Sequence, residues 1–349
     1  MTHMAKSPLA DKWIRRWLVA IAVLVYAMIL IGGMTRLTDS GLSITEWDVI
    51  SGTLPPLSEQ HWAEEFAKYK QTAEFQQQNY NMTFGEFQYI YWWEWGHRLF
   101  GRLIGLIAVG GLALFLARNW IGRALTARLV ILIALGGLQG AIGWWMVSSG
   151  IGDTDRLDVA PYRLMTHFML ALIIIGYTVW LWLDLGGARR FETSRLLSVL
   201  SIALLALVSV QMASGALVAG LDAGRTYTDW PLMDGAFVPA SYIQQDLGIR
   251  SLFEGLAATQ FNHRVLAYVL WAAALGGAVL AWGKPAAKPF ALLATLVTAQ
   301  AAWGIYTLVS GAPLELAIIH QALGVIVFIA AVRLVWITRS ASVPQSATS

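Results

Sequence analysis

Apolar residues fall in eight long stretches along this chain, at about 17–35, 99–117, 129–151, 164–183, 196–221, 265–283, 290–312 and 316–332. Each is close to the ~20 residues a helix needs to cross the hydrocarbon core of a bilayer. Most have no polar face, unlike the amphipathic helices or half-buried strands of a soluble chain. The pattern predicts an all-α integral membrane protein with eight transmembrane helices and both termini on one side.

Two of the polar segments between these runs are long. In the first, 36–91, Trp62, Phe66, Tyr69 and Ala73 fall at helical spacing among charges. This reads either as an amphipathic helix on the membrane surface or as a small hairpin packed on the bundle. Thr83-Phe84-Gly85-Glu86 is a capping-box pattern, so a helix is expected to start there and continue through His97 into the second run. Ser251-Leu252-Phe253-Glu254 repeats the pattern twelve residues before His263.

Composition agrees with the membrane class: 57% of the 349 residues are apolar and 13% charged, with 17 tryptophans. The chain has no cysteine, which excludes disulfides, thiolate ligands and thiol nucleophiles. A net charge of +3 is no signal for nucleic acid, and none is expected as a partner. The first apolar run is long enough to remain as a span, so no cleaved signal peptide is expected. Charge sets the orientation. With the termini inside, the inner segments hold fourteen basic residues and only Asp11, Asp184 and Glu192 as acids; the outer segments hold ten basic and eighteen acidic residues. By the positive-inside rule the termini are cytoplasmic, or on the matrix side in an organelle.

The halves repeat. Gly41-Leu42-Ser43-Ile44-Thr45-Glu46-Trp47 corresponds to Gly224-Arg225-Thr226-Tyr227-Thr228-Asp229-Trp230, and at the same offset Gly32, Gly52 and Pro56 meet Gly215, Gly235 and Pro239. Gln139, Gly143, Ser149 and Gly150 match Gln300, Gly304, Ser310 and Gly311. Four spans per half is an even number, so the copies share one orientation. The expected architecture is two four-helix bundles related by a pseudo-twofold axis along the membrane normal.

Of six histidines, His3 and His61 read as solvated. The other four obey the repeat, His97 with His263 and His167 with His320, all near the outer ends of their spans. A lone membrane histidine is usually a hydrogen-bond partner between helices. Four at related positions and one depth are costly to bury without function. Each half offers two imidazoles to a shared centre, which suits a bis-imidazole haem better than zinc or copper. Arg98 and Arg264 follow His97 and His263 and read either as partners of haem propionates or as snorkelling side chains. The halves differ three residues before these histidines, where Glu94 stands opposite Gln260. An embedded carboxylate is a candidate functional group. The alternative is an interfacial residue paired with Arg98 or Arg102.

Glu94-x-x-His97-Arg98, Asn262-His263-Arg264, His167, His320 and the Gly41–Trp47 segment together resemble the haem A synthase family, over essentially the whole chain from first span to last. The resemblance implies an inner-membrane haem-dependent oxidoreductase that turns the C8 methyl of haem O into a formyl group by successive hydroxylations, giving haem A for cytochrome oxidase. It implies a resident haem b ligated by His263 and His320, a substrate haem at His97 and His167, and a catalytic Glu94. Haem O synthase and cytochrome oxidase assembly factors are the implied partners, with an electron donor left unidentified and the oligomeric state open. Some members carry a cysteine pair in the outer loops. This chain resembles the cysteine-free branch of proteobacteria and mitochondria, without thiol-based electron entry. On this reading 1–16 is a cytoplasmic tail, 17–183 the substrate half, 184–195 an inner linker, 196–338 the haem b half and 339–349 a second tail. A non-enzymatic di-haem electron carrier and a transporter are the rivals. The carrier does not explain Glu94 against Gln260; the transporter fits poorly with polar residues gathered at one leaflet.

Overall fold

The computed structural model describes residues 5–186 and 190–339. The expectations attached to His3, to Arg189 and to the tail after Arg339 lie outside those residues. Eight of the described helices are long and apolar enough to span a membrane, making this a multi-pass membrane protein: α1 (Pro8–Leu37), α4 (Phe84–Ala117), α5 (Arg123–Val147), α6 (Pro161–Leu185), α7 (Arg195–Gly220), α9 (Leu256–Leu280), α10 (Ala287–Val309) and α11 (Leu314–Thr338). Three shorter helices lie between them: α2 (Glu59–Tyr69), α3 (Ala73–Gln77) and α8 (Ser251–Glu254).

Local chemistry sets the helix ends. The Ser7 hydroxyl accepts from the Ala10 amide at 3.1 Å ahead of Pro8, so α1 begins well before its apolar run and carries Asp11, Lys12, Arg15 and Arg16 as helical residues. Thr83 and Glu86 form the expected capping box, and α4 runs unbroken from there past His97 to Ala117. The second expected box does not form. The Ser251 hydroxyl instead accepts from the Gln244 amide at 2.9 Å and donates to the Gln244 carbonyl at 3.1 Å; α8 stops after one turn, and α9 starts from Gly255 without a side-chain cap. Ser251 is fully buried under a loop, so satisfying that loop's backbone outweighs capping a helix.

The spanning helices close into two rings. In the first, α1 packs on α4, α4 on α5, α5 on α6 and α6 on α1; in the second, α7 packs on α9, α9 on α10, α10 on α11 and α11 on α7. The rings meet through α6–α7, α1–α11 and α6–α11. Exchanging the halves maps the first two contacts onto each other and the third onto itself, as a pseudo-twofold axis between α6 and α11 requires. These two helices are the most enclosed of the eight, while Val23, Leu106 and Val279 on other helices stand on an exposed apolar rim suited to lipid.

Polar ties mark the two ends of the bundle. At the end bearing the chain termini, Asp184 of α6 accepts from Arg128 of α5 (2.6 Å), Trp336 of α11 (2.7 Å) and Arg339 (2.6 Å). At the other end, which bears the long loops, Arg36 pairs with Asp39 (3.0 Å), Asp158 (3.3 Å) and Asp222 (2.7 Å). Asp39 and Asp222 are repeat-related and both left-handed, with φ of 48° and 53°, so Arg36 ties corresponding helix ends of both rings together.

The open choice for the first long loop is settled by packing. α2 and α3 form a hairpin whose Phe66 and Tyr69 bury against Phe87, Ile90 and Tyr91 on the extension of α4, with Trp62 and Phe75 at the edge of the cluster. The Phe66 and Phe87 rings stack with centroids 4.7 Å apart. The apolar face is therefore covered by protein rather than lipid, and α4 is continuous because its first turns have this partner. His61 stays half-exposed, as expected of a solvated residue.

One carboxyl in the hairpin is costly. Glu74 is buried and its Oε2 has no hydrogen-bond partner. Burial pushes this carboxyl up to about 8; the Tyr69 hydroxyl opposes the shift, and Asp39 and Asp158 reinforce it. A raised carboxyl pKa means the folded state prefers the proton. Its contribution is intact below the ordinary carboxylate range and is lost as pH rises through about 8. Glu74→Gln is therefore expected to melt with a smaller loss of Tm between pH about 6 and about 9 than the parent. Equal losses in thermal unfolding of the two detergent-solubilised proteins would refute this.

Candidate functional site

All four repeat-related histidines lie in the loop-end half of the bundle, on the second helix of a helical hairpin: His97 on α4, His167 on α6, His263 on α9 and His320 on α11. Each imidazole rests against a glycine of the preceding spanning helix. A Cβ built on Gly32 meets His97 Nε2 at 3.3 Å, and one on Gly143 meets His167 Cε1 at 2.9 Å. The corresponding contacts are 3.1 Å from Gly215 to His263 and 2.6 Å from Gly304 to His320. A Cβ at Gly143 or Gly304 would collide with the ring and one at Gly32 or Gly215 would force it to give by a few tenths of an ångström, so the glycines make room for an imidazole between two close helices.

Each half brings its own two histidines together. His97 and His167 project from opposite members of the first ring and lie close enough to interact electrostatically; His263 and His320 do the same in the second. Among the described residues no group of three or more His, Asp or Glu side chains approaches metal-binding geometry. Two facing imidazoles without a third ligand, each in a slot cleared of a Cβ, are a donor set that fits the iron of a planar macrocycle and not a protein-only zinc or copper site.

Above these pairs the two repeated loops are clamped by the residues around the histidines. Arg98 donates to the carbonyls of Ile44 (2.8 Å) and Glu46 (2.8 Å); Arg264 donates to the repeat-related carbonyls of Tyr227 (3.0 Å) and Asp229 (2.9 Å), and also to Leu232. Arg102 holds the carbonyls of Asp48 and Val49. Neither Arg98 nor Arg264 snorkels into solvent. Both are anchored to backbone, and the Arg264 Nε is buried with no partner in the protein.

The Glu94/Gln260 difference inverts the polarity of the clamp. Glu94 is buried, at 2% exposure. Its Oε2 accepts from the Ser43 hydroxyl and the Ile44 amide, both at 2.8 Å, and its Oε1 accepts from Arg98 Nη2 at 2.6 Å and Nε at 3.1 Å. Every one of these partners is a donor, so the site is built around an anion. Gln260 instead donates its amide to the carbonyls of Gly224 (3.2 Å) and Tyr227 (2.9 Å). Both loops turn carbonyls to the arginines, but at the position of the difference the first loop offers an N–H and an O–H to Glu94 and the second offers carbonyls to Gln260. The roofs differ as well: Trp47 stacks on Trp144 of α5 at 5.5 Å, whereas its repeat mate Trp230 donates to the Tyr268 hydroxyl.

Sequence reasoning found the histidines, the arginines and Glu94; it marked Gln139 and Gln300 only as matching positions of the repeat and passed over Gln211, though all three touch a histidine. Gln139, Gln211 and Gln300 each sit one turn before the slot glycine, and each donates to the backbone carbonyl of the histidine opposite, at 3.0, 3.1 and 2.9 Å. The spacing Gln-x-x-x-Gly occurs three times within apolar runs, and once more in the loop at Gln244–Gly248. Its meaning lay in a neighbour on another helix.

The comparisons with known proteins agree with this arrangement. Residues 15–332 match the COX15-CtaA family, described as cytochrome oxidase assembly protein. The chain is 61% identical over 336 residues to the haem A synthase of Hyphomonas neptunium, covering 96% of each chain. It is 48% identical over 329 residues to that of Maricaulis maris, covering 93% of this chain and 96% of the relative. For the haem A synthase of Caulobacter vibrioides the figures are 45% over 332 residues, 93% and 95%. With a match reaching into all eight spanning helices and taking in both clamped loops, this chain belongs to the haem A synthase family.

Proposed function

We propose that this protein is a membrane oxidoreductase that converts haem O to haem A by successive oxidation of the C8 methyl group to formyl, in the service of cytochrome oxidase assembly. The observation that carries the reading is the pair of like sites with unlike roofs: two imidazoles in each ring, but a buried carboxylate beside only one of them. On this proposal His97 and His167 hold the substrate haem, and His263 and His320 hold a resident haem b. Bound there, the haem groups supply the redox chemistry.

The side chains of this chain do the rest. The slot glycines and the two facing helices orient each imidazole. Glu94, held by Ser43, Ile44 and Arg98, sets a negative charge at the roof of the substrate site and keeps the loop over it closed to water. Arg98 and Arg264, fixed by loop carbonyls, present a positive edge to haem propionates; the unpartnered Nε of Arg264 supports that role. The concentration of basic residues at the end bearing the termini supports an inner-membrane protein with both termini cytoplasmic and the histidines toward the outer face. An electron partner, haem O synthase and other assembly factors complete the proposed setting.

Solvent extraction of the purified protein, followed by identification of the haem side chains, tests the reading. Haem b together with haem O or haem A is expected, and added haem O with an electron donor should yield haem A. Protein with no haem absorption would point to a transporter. Haem without any conversion would point to a di-haem electron carrier.

A further inference from the structure

The hairpin repeat is fourfold in its histidines and glycines but only threefold in its glutamines. Beyond the bond to the histidine carbonyl, the amide nitrogen of each glutamine lies against the imidazole. Gln139 lies 3.2 Å from both ring nitrogens of His167, Gln211 3.2 Å from both of His263, and Gln300 3.2 and 3.5 Å from those of His320. The glutamine carbonyl oxygens are all buried and unpartnered, so each amide also holds a spare acceptor beside its ring. In the first hairpin the residue one turn before Gly32 is Met28.

Met28 occupies the place of the missing glutamine. Its methyl carbon lies 3.1 Å from a Cβ built on Gly101, one turn after His97. At Gly324, one turn after His320, such a Cβ meets the Gln300 amide nitrogen at 3.3 Å beside the Met212 sulfur at 3.1 Å. The thioether has no hydrogen to donate to the His97 carbonyl and offers its ring N–H only a weak acceptor. No hydrogen bond to the His97 side chain is present among the described residues.

A metal-ligating imidazole is normally held by a hydrogen bond at its second nitrogen, which fixes ring orientation and ligand strength. That nitrogen carries a proton when the other binds metal, so it needs an acceptor: three of the four rings have an unpartnered glutamine carbonyl oxygen beside them for this and one does not. We propose that Gln139, Gln211 and Gln300 are positioning residues that pin His167, His263 and His320, while Met28 leaves His97 as the one axial imidazole free to disengage. The exchangeable coordination position of the substrate haem is then on the His97 side, under the Glu94 roof. The resident haem, pinned on both sides, stays closed. This inference rests on the haem assignment proposed above.

Carbon monoxide binding to the dithionite-reduced, haem O-loaded protein provides a test separate from turnover, because the gas enters only where an axial ligand yields. In the parent protein it should bind the substrate haem and leave the resident haem unchanged in the visible spectrum. Met28→Gln should lower the carbon monoxide affinity of the substrate haem about tenfold, the scale of one added hydrogen bond, at unchanged haem content. Met28→Leu, apolar and without a donor, should behave as the parent. Gln211→Met should do the reverse and open the resident haem to the gas. Retained haem with the same affinity in the parent, Met28→Gln and Gln211→Met would overturn the proposal alone. If one of the two variants fails to accumulate, an unchanged affinity in the other overturns it. Parent protein retaining no haem would instead sink the underlying haem assignment.

Discussion

Replacing His263 or His320 by alanine is expected to strip the second half of the proposed resident haem b and to lower haem A formation by more than ~100-fold. Loss of a partner behind a metal ligand already costs up to that factor, and here the ligand itself is removed. The slots leave no substitute: apart from the paired histidine, the nearest polar groups at each ring are the glutamine and backbone already described. The two halves predict different losses. His263→Ala and His320→Ala should remove the haem b contribution to the reduced spectrum while the first half still takes up haem O. His97→Ala and His167→Ala should leave that spectrum in place and abolish retention of the substrate. An unaltered haem b spectrum after His263→Ala, in protein that folds and inserts normally, would overturn the assignment of the halves.

Glu94→Gln is expected to reduce haem A formation by roughly 100- to 1000-fold while leaving the resident haem intact, the scale seen when a group that stabilises developing charge is lost. The substitution is isosteric, and the protein already carries the amide at Gln260. It is not tolerated equally in both places, because the loops present opposite polarity. Around Gln260 the loop offers carbonyls from Gly224 and Tyr227; around Glu94 it offers donors from Ser43 and Ile44, joined by Arg98 of the same helix. An amide at 94 would set a donor against donors and leave the Arg98 charge without its counter-ion, a local cost of about 3–5 kcal/mol for a buried pair. Glu94→Asp keeps the charge but shortens the reach, and is expected to recover part of the rate. If Glu94 only braced the loop, both variants would raise KM for haem O and leave kcat near normal. A fall in kcat much larger in Glu94→Gln than in Glu94→Asp marks the charge itself as functional. Normal haem A yield from Glu94→Gln would remove this residue from the mechanism.

Family membership weighs against both rivals considered at the outset. An electron carrier has no use for an anion-binding clamp in one half and its neutral copy in the other. A transporter would need polar groups at the bilayer midplane, whereas the histidines, the clamps and the Arg36 tie all lie toward one end of the bundle.

Much was legible in the linear order of residues. Hydrophobic run length set the number of helices because a bilayer core demands about 20 apolar residues whatever the tertiary contacts. Thr83 and Glu86 announced the start of α4 because a capping box is satisfied within four residues. Where the same signal failed, at Ser251, the hydroxyl was taken by Gln244 across a loop, a non-local competitor that local pattern cannot weigh. The amphipathic face of α2 was equally visible, but whether lipid or Phe87 covers it depends on a helix eighteen or more residues away.

By itself the sequence determined the membrane class, the count of spans, the two-half repeat, the four histidines and the single Glu/Gln difference, because each is a matter of residue type at a fixed spacing. Only the tertiary structure decided how those residues pair and what surrounds them. It placed two imidazoles in each helix ring, cut their slots with Gly32, Gly143, Gly215 and Gly304, surrounded Glu94 with donors and set three glutamines against the imidazoles. Those relations cross from one helix to another. Their energies come from atoms brought within about 3 Å by packing, which spacing along a single chain does not encode.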